Sequence, residues 1–126
     1  MRRIRGFTLT EAIVALGIFA FAVVGLGLAL DRVLETSQMA RQETHARQLI
    51  ESRLALIQAR PALEAGVQSQ PATERGVALR EEIEEVSATN VDGEALVGLW
   101  TVRLTATWKE GGTEAEQVAE IVVYKP

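Results

Sequence analysis

Polar and apolar positions divide the chain into stretches of different rhythm. From Ala12 to Leu30 no residue is charged. Taken from Phe7, this run makes a helix of about 36 Å at roughly 1.5 Å per residue, long enough to cross a bilayer. Arg2, Arg3 and Arg5 precede it and the next basic residue is Arg32, so the positive-inside rule puts the N-terminus in the cytoplasm and the rest of the chain across the membrane. Beyond Asp31 there is neither Pro nor Gly until Pro61. This stretch is rich in helix formers, with Met39, Ala46, Leu49, Ile50, Leu54 and Ile57 at helical spacing on one face. Glu43 and Arg53 interrupt that stripe, and Glu43 with Arg47 forms an i, i+4 pair in the favourable order.

After the helix the punctuation changes. Pro61, Gly66, Pro71 and Gly76 lie among polar residues, which predicts a connecting loop over 61–76. Val77–Ser87 holds Glu81, Glu82, Glu84 and Glu85 around Ile83 and Val86 and reads as an edge strand, with a short helix as the alternative. Asn90, Asp92 and Gly93 supply turn chemistry. Trp100, Val102, Leu104, Ala106 and Trp108 then alternate with Thr101, Arg103, Thr105 and Thr107, a strand with one apolar face. Gly111-Gly112 before Val118–Tyr124 signals a hairpin. Ala119, Ile121, Val122 and Val123 put apolar residues on both parities of the last strand, which suits a central or doubly covered position. The expected fold is α+β: a long N-terminal helix, transmembrane and then amphipathic, packed on a small antiparallel sheet. Its parts are a transmembrane helix over 7–30 and a soluble domain over 31–126, made of helix 31–60, loop 61–76 and sheet 77–126.

Composition narrows the function. The 126 residues leave room for one small domain beside the apolar run. Cysteine is absent, which removes disulfides and thiolate metal sites. Of the 13 basic residues, the ten that follow Gly6 face 17 acidic ones, so no direct contact with nucleic acid is expected. Ala20-Phe21-Ala22 is a small-x-small cleavage pattern, but Val23, Val24 and Leu26 continue the apolar run beyond it. A secreted domain with a removable signal peptide is therefore the weaker alternative.

The informative motif is Arg5-Gly6-Phe7-Thr8-Leu9-Thr10-Glu11. A carboxylate at the edge of an apolar span is costly, and its presence implies a partner. These residues resemble the class III signal of type IV prepilins and type II secretion pseudopilins: a short basic leader, a glycine, an aromatic residue, a glutamate four positions on, and about twenty apolar residues. The fold implied is type IV pilin-like. The resemblance implies a leader over 1–6, cleavage by a prepilin peptidase between Gly6 and Phe7, and methylation of the new amine of Phe7. Glu11 then has an assembly role, pairing with the N-terminal amine of a neighbouring Phe7, because two charges leave water more readily as a pair. Gly17, Gly25 and Gly27 would admit close helix approach. Thr10 departs from the bulky apolar residue common before this glutamate.

Beyond the span, Ala46–Leu56 and Leu99–Trp108 are similar to the I-type minor pseudopilin and PilV-like minor pilins. Major type IVa pilins often carry a disulfide-closed loop and major pseudopilins a C-terminal calcium site. Neither has its residues here. The implied partners are prepilin peptidase, other minor and major pilins and an inner-membrane assembly platform. The implied location is the inner membrane, single-pass, with the domain periplasmic and extracted into a filament. No enzyme activity, cofactor or metal is expected. His45 has no second histidine for a metal site or triad. Asp92 and Glu94 fall short of a calcium shell, the acidic cluster reads as a solvated face, and Trp100 and Trp108 read as packing anchors. A single-span anchor carrying a periplasmic binding domain, untouched by prepilin peptidase, is the alternative.

Overall fold

The structure, a computed structural model, describes residues 6–126. All of the leader except Gly6 lies outside the described residues. Helix α1 runs over Leu9–Ala59 and is followed by strands β1 (Gly66–Gln70), β2 (Ala78–Glu85), β3 (Ala88–Thr89), β4 (Ala95–Leu96), β5 (Leu99–Glu110) and β6 (Thr113–Tyr124). The chain forms two units, the first ending at Gln38 and the second beginning at Met39 rather than at Asp31.

In the first unit every side chain from Gly6 to Gln38 is exposed. The segment contains a helical stretch long and apolar enough to cross a membrane, none of it buried within the chain. A helix apolar on all sides has no face to turn to water, so its burial must come from lipid or from other helices.

The second unit carries the core. Ala46, Ile50 and Ile57 on the helix meet Val77, Leu79, Ile83, Val102, Leu104, Ala106 and Trp108, with Leu49, Leu54 and Trp100 packed around them. This is the helix stripe and the β5 alternation expected from the sequence. Ile57, Leu104, Val77 and Val102 are the largest fully buried side chains, each contributing about 1.5–3 kcal/mol of transfer free energy. The helix stops at Ala59, where Pro61 disfavours helical geometry in the residue before it. Glu43 and Arg47 form no ion pair among the described residues.

The main sheet is antiparallel with the order β1-β2-β5-β6. Its topology corrects three expectations. The stretch 61–76 is not loop throughout, since β1 pairs with β2 from Gly66 opposite Ile83 to Gln70 opposite Leu79. All five β1 residues are exposed, so no apolar alternation marks the strand; Gly66 opens its pairing and Pro71 follows its end. As a consequence β2 is an inner strand, not an edge. β6, in turn, is the edge, although apolar residues occupy both of its parities. β5 and β6 meet in an unbroken register from Leu99 opposite Tyr124 to Glu110 opposite Thr113, closed by Gly111 and Gly112, whose φ of 56° and 86° are the left-handed values a two-residue hairpin turn needs.

β3 and β4 form a separate two-stranded hairpin. At its turn the Asn90 carboxamide oxygen accepts from the backbone N–H groups of Asp92 (3.0 Å) and Glu94 (2.8 Å). The side-chain amide of Asn90 donates to the Glu94 carboxylate at 3.2 Å. Asp92 and Glu94 thus sit in ordinary turn chemistry.

Candidate functional site

The sequence motif converges on a small piece of the first unit. Gly6, Phe7 and Thr8 precede the helix without regular structure, and all are exposed. A Cβ built on Gly6 would meet nothing within 4 Å, so the fold itself makes no demand for glycine there. Phe7 is 85% exposed.

Glu11 is held by its own helix. Its backbone N–H donates to the Thr8 hydroxyl oxygen at 3.3 Å. Its carboxylate accepts from the Thr8 backbone N–H at 2.9 Å and from the Thr8 hydroxyl at 3.0 Å. This is a capping box, with Thr8 at the N-cap and Glu11 at the third helical position, satisfying donors that a helix start leaves open. From its charge alone Glu11 is a carboxylate that needs an outside partner. The Thr8-Leu9-Thr10-Glu11 spacing already carried the signal for a local one. The box also turns the carboxylate toward the start of the helix, where it favours the positive end of the dipole. The small glycines of the span, Gly17, Gly25 and Gly27, likewise have open space around a Cβ position.

A second constellation lies in the other unit and was missed. Glu81 was expected on a solvated acidic face. It is instead 4% exposed and forms ion pairs with Arg53, the residue that interrupts the helix stripe, and with Arg60 at 3.3 Å. Arg53 also donates to the Gln68 carboxamide oxygen at 3.4 Å. The inward parity of β2 explains the burial: Glu81 shares it with Leu79 and Ile83. A charge at an inward position needs a partner, and two guanidinium groups supply it, Arg53 from the helix and Arg60 from the residue just beyond its end. A cleft of about 270 Å³ adjoins this triad, lined by Arg60, Glu64, Gln68, Glu81 and Ile83 among others. The triad joins helix, β1 and β2 and has the character of a structural lock.

The opposite face of the sheet carries the expected solvated charges. Glu82 faces Arg103, and Arg103 faces Glu120 across strands. Arg103 lies 2.7 Å from Glu120 and 3.8 Å from Glu82. The hydrogen bond to Glu120, with the negative charges beside it, holds the Arg103 guanidinium above its ordinary pKa. His45 is half-buried and contacts the Thr73 hydroxyl at 3.3 Å. Trp108 is buried and Trp100 half-buried against the core, as packing anchors are. Among the described residues no group of three His, Asp or Glu side chains could hold a metal ion.

Residues 1–27 match the family profile described as the prokaryotic N-terminal methylation motif. No curated protein and no solved structure matches the chain significantly. The matched motif supports a type IV pilin-like chain, and with it a substrate of prepilin peptidase. The α+β architecture, one long N-terminal helix packed through its C-terminal part on a small antiparallel sheet, is of the type IV pilin kind. Among the described residues one helix, near the N-terminus, is long and apolar enough to cross a membrane, which fits a single-pass membrane anchor.

Proposed function

We propose that the chain is a minor pilin or pseudopilin subunit, cut between Gly6 and Phe7, methylated on the Phe7 amine, and assembled through its apolar helix into a type II secretion pseudopilus or type IV pilus. The observation that carries this reading is the sequence of features at one place. An exposed, unstructured Gly6-Phe7 peptide stands directly before a helix whose side chains are all exposed as far as Gln38. A protease can reach such a bond, and such a helix must exchange lipid for neighbouring helices when it leaves the membrane.

In the filament Glu11 pairs with the amine of a neighbour's Phe7 and sets the axial register. The Thr8 contact is compatible with this, because a carboxylate offers about four lone-pair sites and Thr8 uses one oxygen of it. The role is mechanical: the subunit helps start a filament at its tip for protein secretion, with its sister pilins and the inner-membrane platform as partners and the domain on the periplasmic side.

The capping box favours a second reading, since it gives Glu11 a use in any anchor. In that reading the chain is a membrane-tethered periplasmic binding domain that is never processed. Mass spectrometry of the full chain from cells with and without prepilin peptidase separates the two. A chain starting at methylated Phe7 only when the peptidase is present supports the pilin reading; an intact Met1 in both strains supports the tether.

A further inference from the structure

The two edges of the main sheet are unlike. β1 is short, five residues with a mostly polar surface, and brevity is one way proteins protect an edge. β6 has twelve residues and no proline, and its pairing with β5 is uninterrupted by a bulge. Its outer side therefore presents a long row of unpaired backbone groups.

The side chains of β6 make that edge more unusual. On the face away from the helix Val118, Val122 and Tyr124 are 51%, 64% and 63% exposed, in a row with Glu114, Glu116 and Glu120. On the helix side Ala115, Ala119, Ile121 and Val123 are only partly buried against the core. The Gln117 carboxamide oxygen on that side and the Trp108 indole nitrogen are buried with no hydrogen-bond partner. Along this margin the core is unfinished in the lone chain.

We infer that β6 is completed by an extended segment of a different polypeptide, added edge to edge, which places β-branched side chains beside Val118 and Val122 and a basic one beside Glu116. Charge selects this occupant. Glu120 is already paired with Arg103, whereas Glu114 and Glu116 have no ion-pair partner among the described residues. A second copy of the chain would bring the same acidic row against the first, in a chain of net charge -4, and like charges side by side on neighbouring strands repel. A basic, β-branched segment instead gains main-chain hydrogen bonds along the edge and covers the exposed valines, as in strand addition. The inference stands on the sheet alone and does not depend on processing at Gly6.

The test places a photo-reactive phenylalanine analogue in the full chain in its native membrane, at Val118 in one variant and at Val122 in another, and maps the crosslinked peptides by mass spectrometry. The two positions are about 13 Å apart at roughly 3.3 Å per residue. An added strand therefore shifts the crosslink by about four residues, and a docked helix by about nine at its 1.5 Å rise. The expected result is one segment of a second protein, crosslinked at points four residues apart, with Lys or Arg near the position facing Glu116. The same analogue at Val67, on the opposite edge, leaves that segment unlabelled. Glu116→Lys lowers the yield at least ten-fold while tryptophan emission from Trp100 and Trp108 stays native. A nine-residue shift, crosslinks confined to copies of this chain, an acidic partner segment, unchanged yield in folded Glu116→Lys, or no crosslink at either valine would each overturn the inference.

Discussion

The two parts of α1 share a backbone and differ in where their apolar residues go. From Ala12 to Leu30 they occupy every side of the helix, and as far as Gln38 the chain buries none of them. From Met39 they occupy one face, and the sheet covers Ala46, Ile50 and Ile57 completely or nearly so. Periodicity thus separates a surface addressed to something outside the chain from one addressed to the chain itself. The first gains its stability from lipid or neighbouring helices, and the second from a core that travels with it.

Four substitutions would break or sharpen that contrast. The largest effect is expected from Glu81→Ala, which removes the buried carboxylate and strands the half-buried guanidinium of Arg53, and should cost the second unit about 3 kcal/mol. Urea unfolding of the full chain in detergent micelles, followed by tryptophan emission, measures it; a midpoint like that of the native chain would show that the triad locks nothing. Val24→Lys belongs to the other region. It should cost about 2.5–3.5 kcal/mol of membrane insertion and leave the urea midpoint where it was, so a moved midpoint would mean that the regions are not energetically separate.

Gly98→Ala comes next. Gly98 has a φ of +88°, and a Cβ there would stand 2.3 Å from the Lys125 carbonyl oxygen. The backbone strain alone is worth about 1–3 kcal/mol, read from the same urea curve. Thr8→Ala is the smallest, about 1 kcal/mol for a lost N-cap. Its effect should be confined to faster hydrogen exchange at the first helical amides, with the exchange of β5 unaltered.

Much of the architecture was legible because it rests on local rhythm. The charge-free run, the one-sided stripe after Asp31, the alternation from Trp100 to Trp108 and the Gly111-Gly112 turn each name an element without help from the rest of the chain. What escaped depends on pairing at a distance. β1 has no buried face, so Val67, Gln68, Ser69 and Gln70 look like loop until β2 lies beside them. Glu81 cannot be told from Glu82 until the inward parity of β2 is fixed, and Arg53 looks like a flaw in the helix stripe until Glu81 is placed opposite. At the N-terminus the motif Gly6, Phe7 and Glu11 was legible from residue types and spacing. The local partner of Glu11 is also written there, in the threonine three residues before it, but the cost of an isolated charge points outward first.

One contact sets a condition on when the domain can be finished. The Lys125 ammonium donates to the Gln58 carbonyl at 2.7 Å, across 67 positions of sequence, and the Lys125 backbone N–H donates to the Gly98 carbonyl at 2.7 Å. The last turn of α1 contains no basic residue of its own, and Lys125, just after β6, brings a positive charge to its negative end. All six strands lie between the two ends of this clasp, and a contact of such long range in sequence closes late. Until Lys125 is in place the Gln58 carbonyl lacks this donor, so the end of the helix and the end of the sheet are finished in one step.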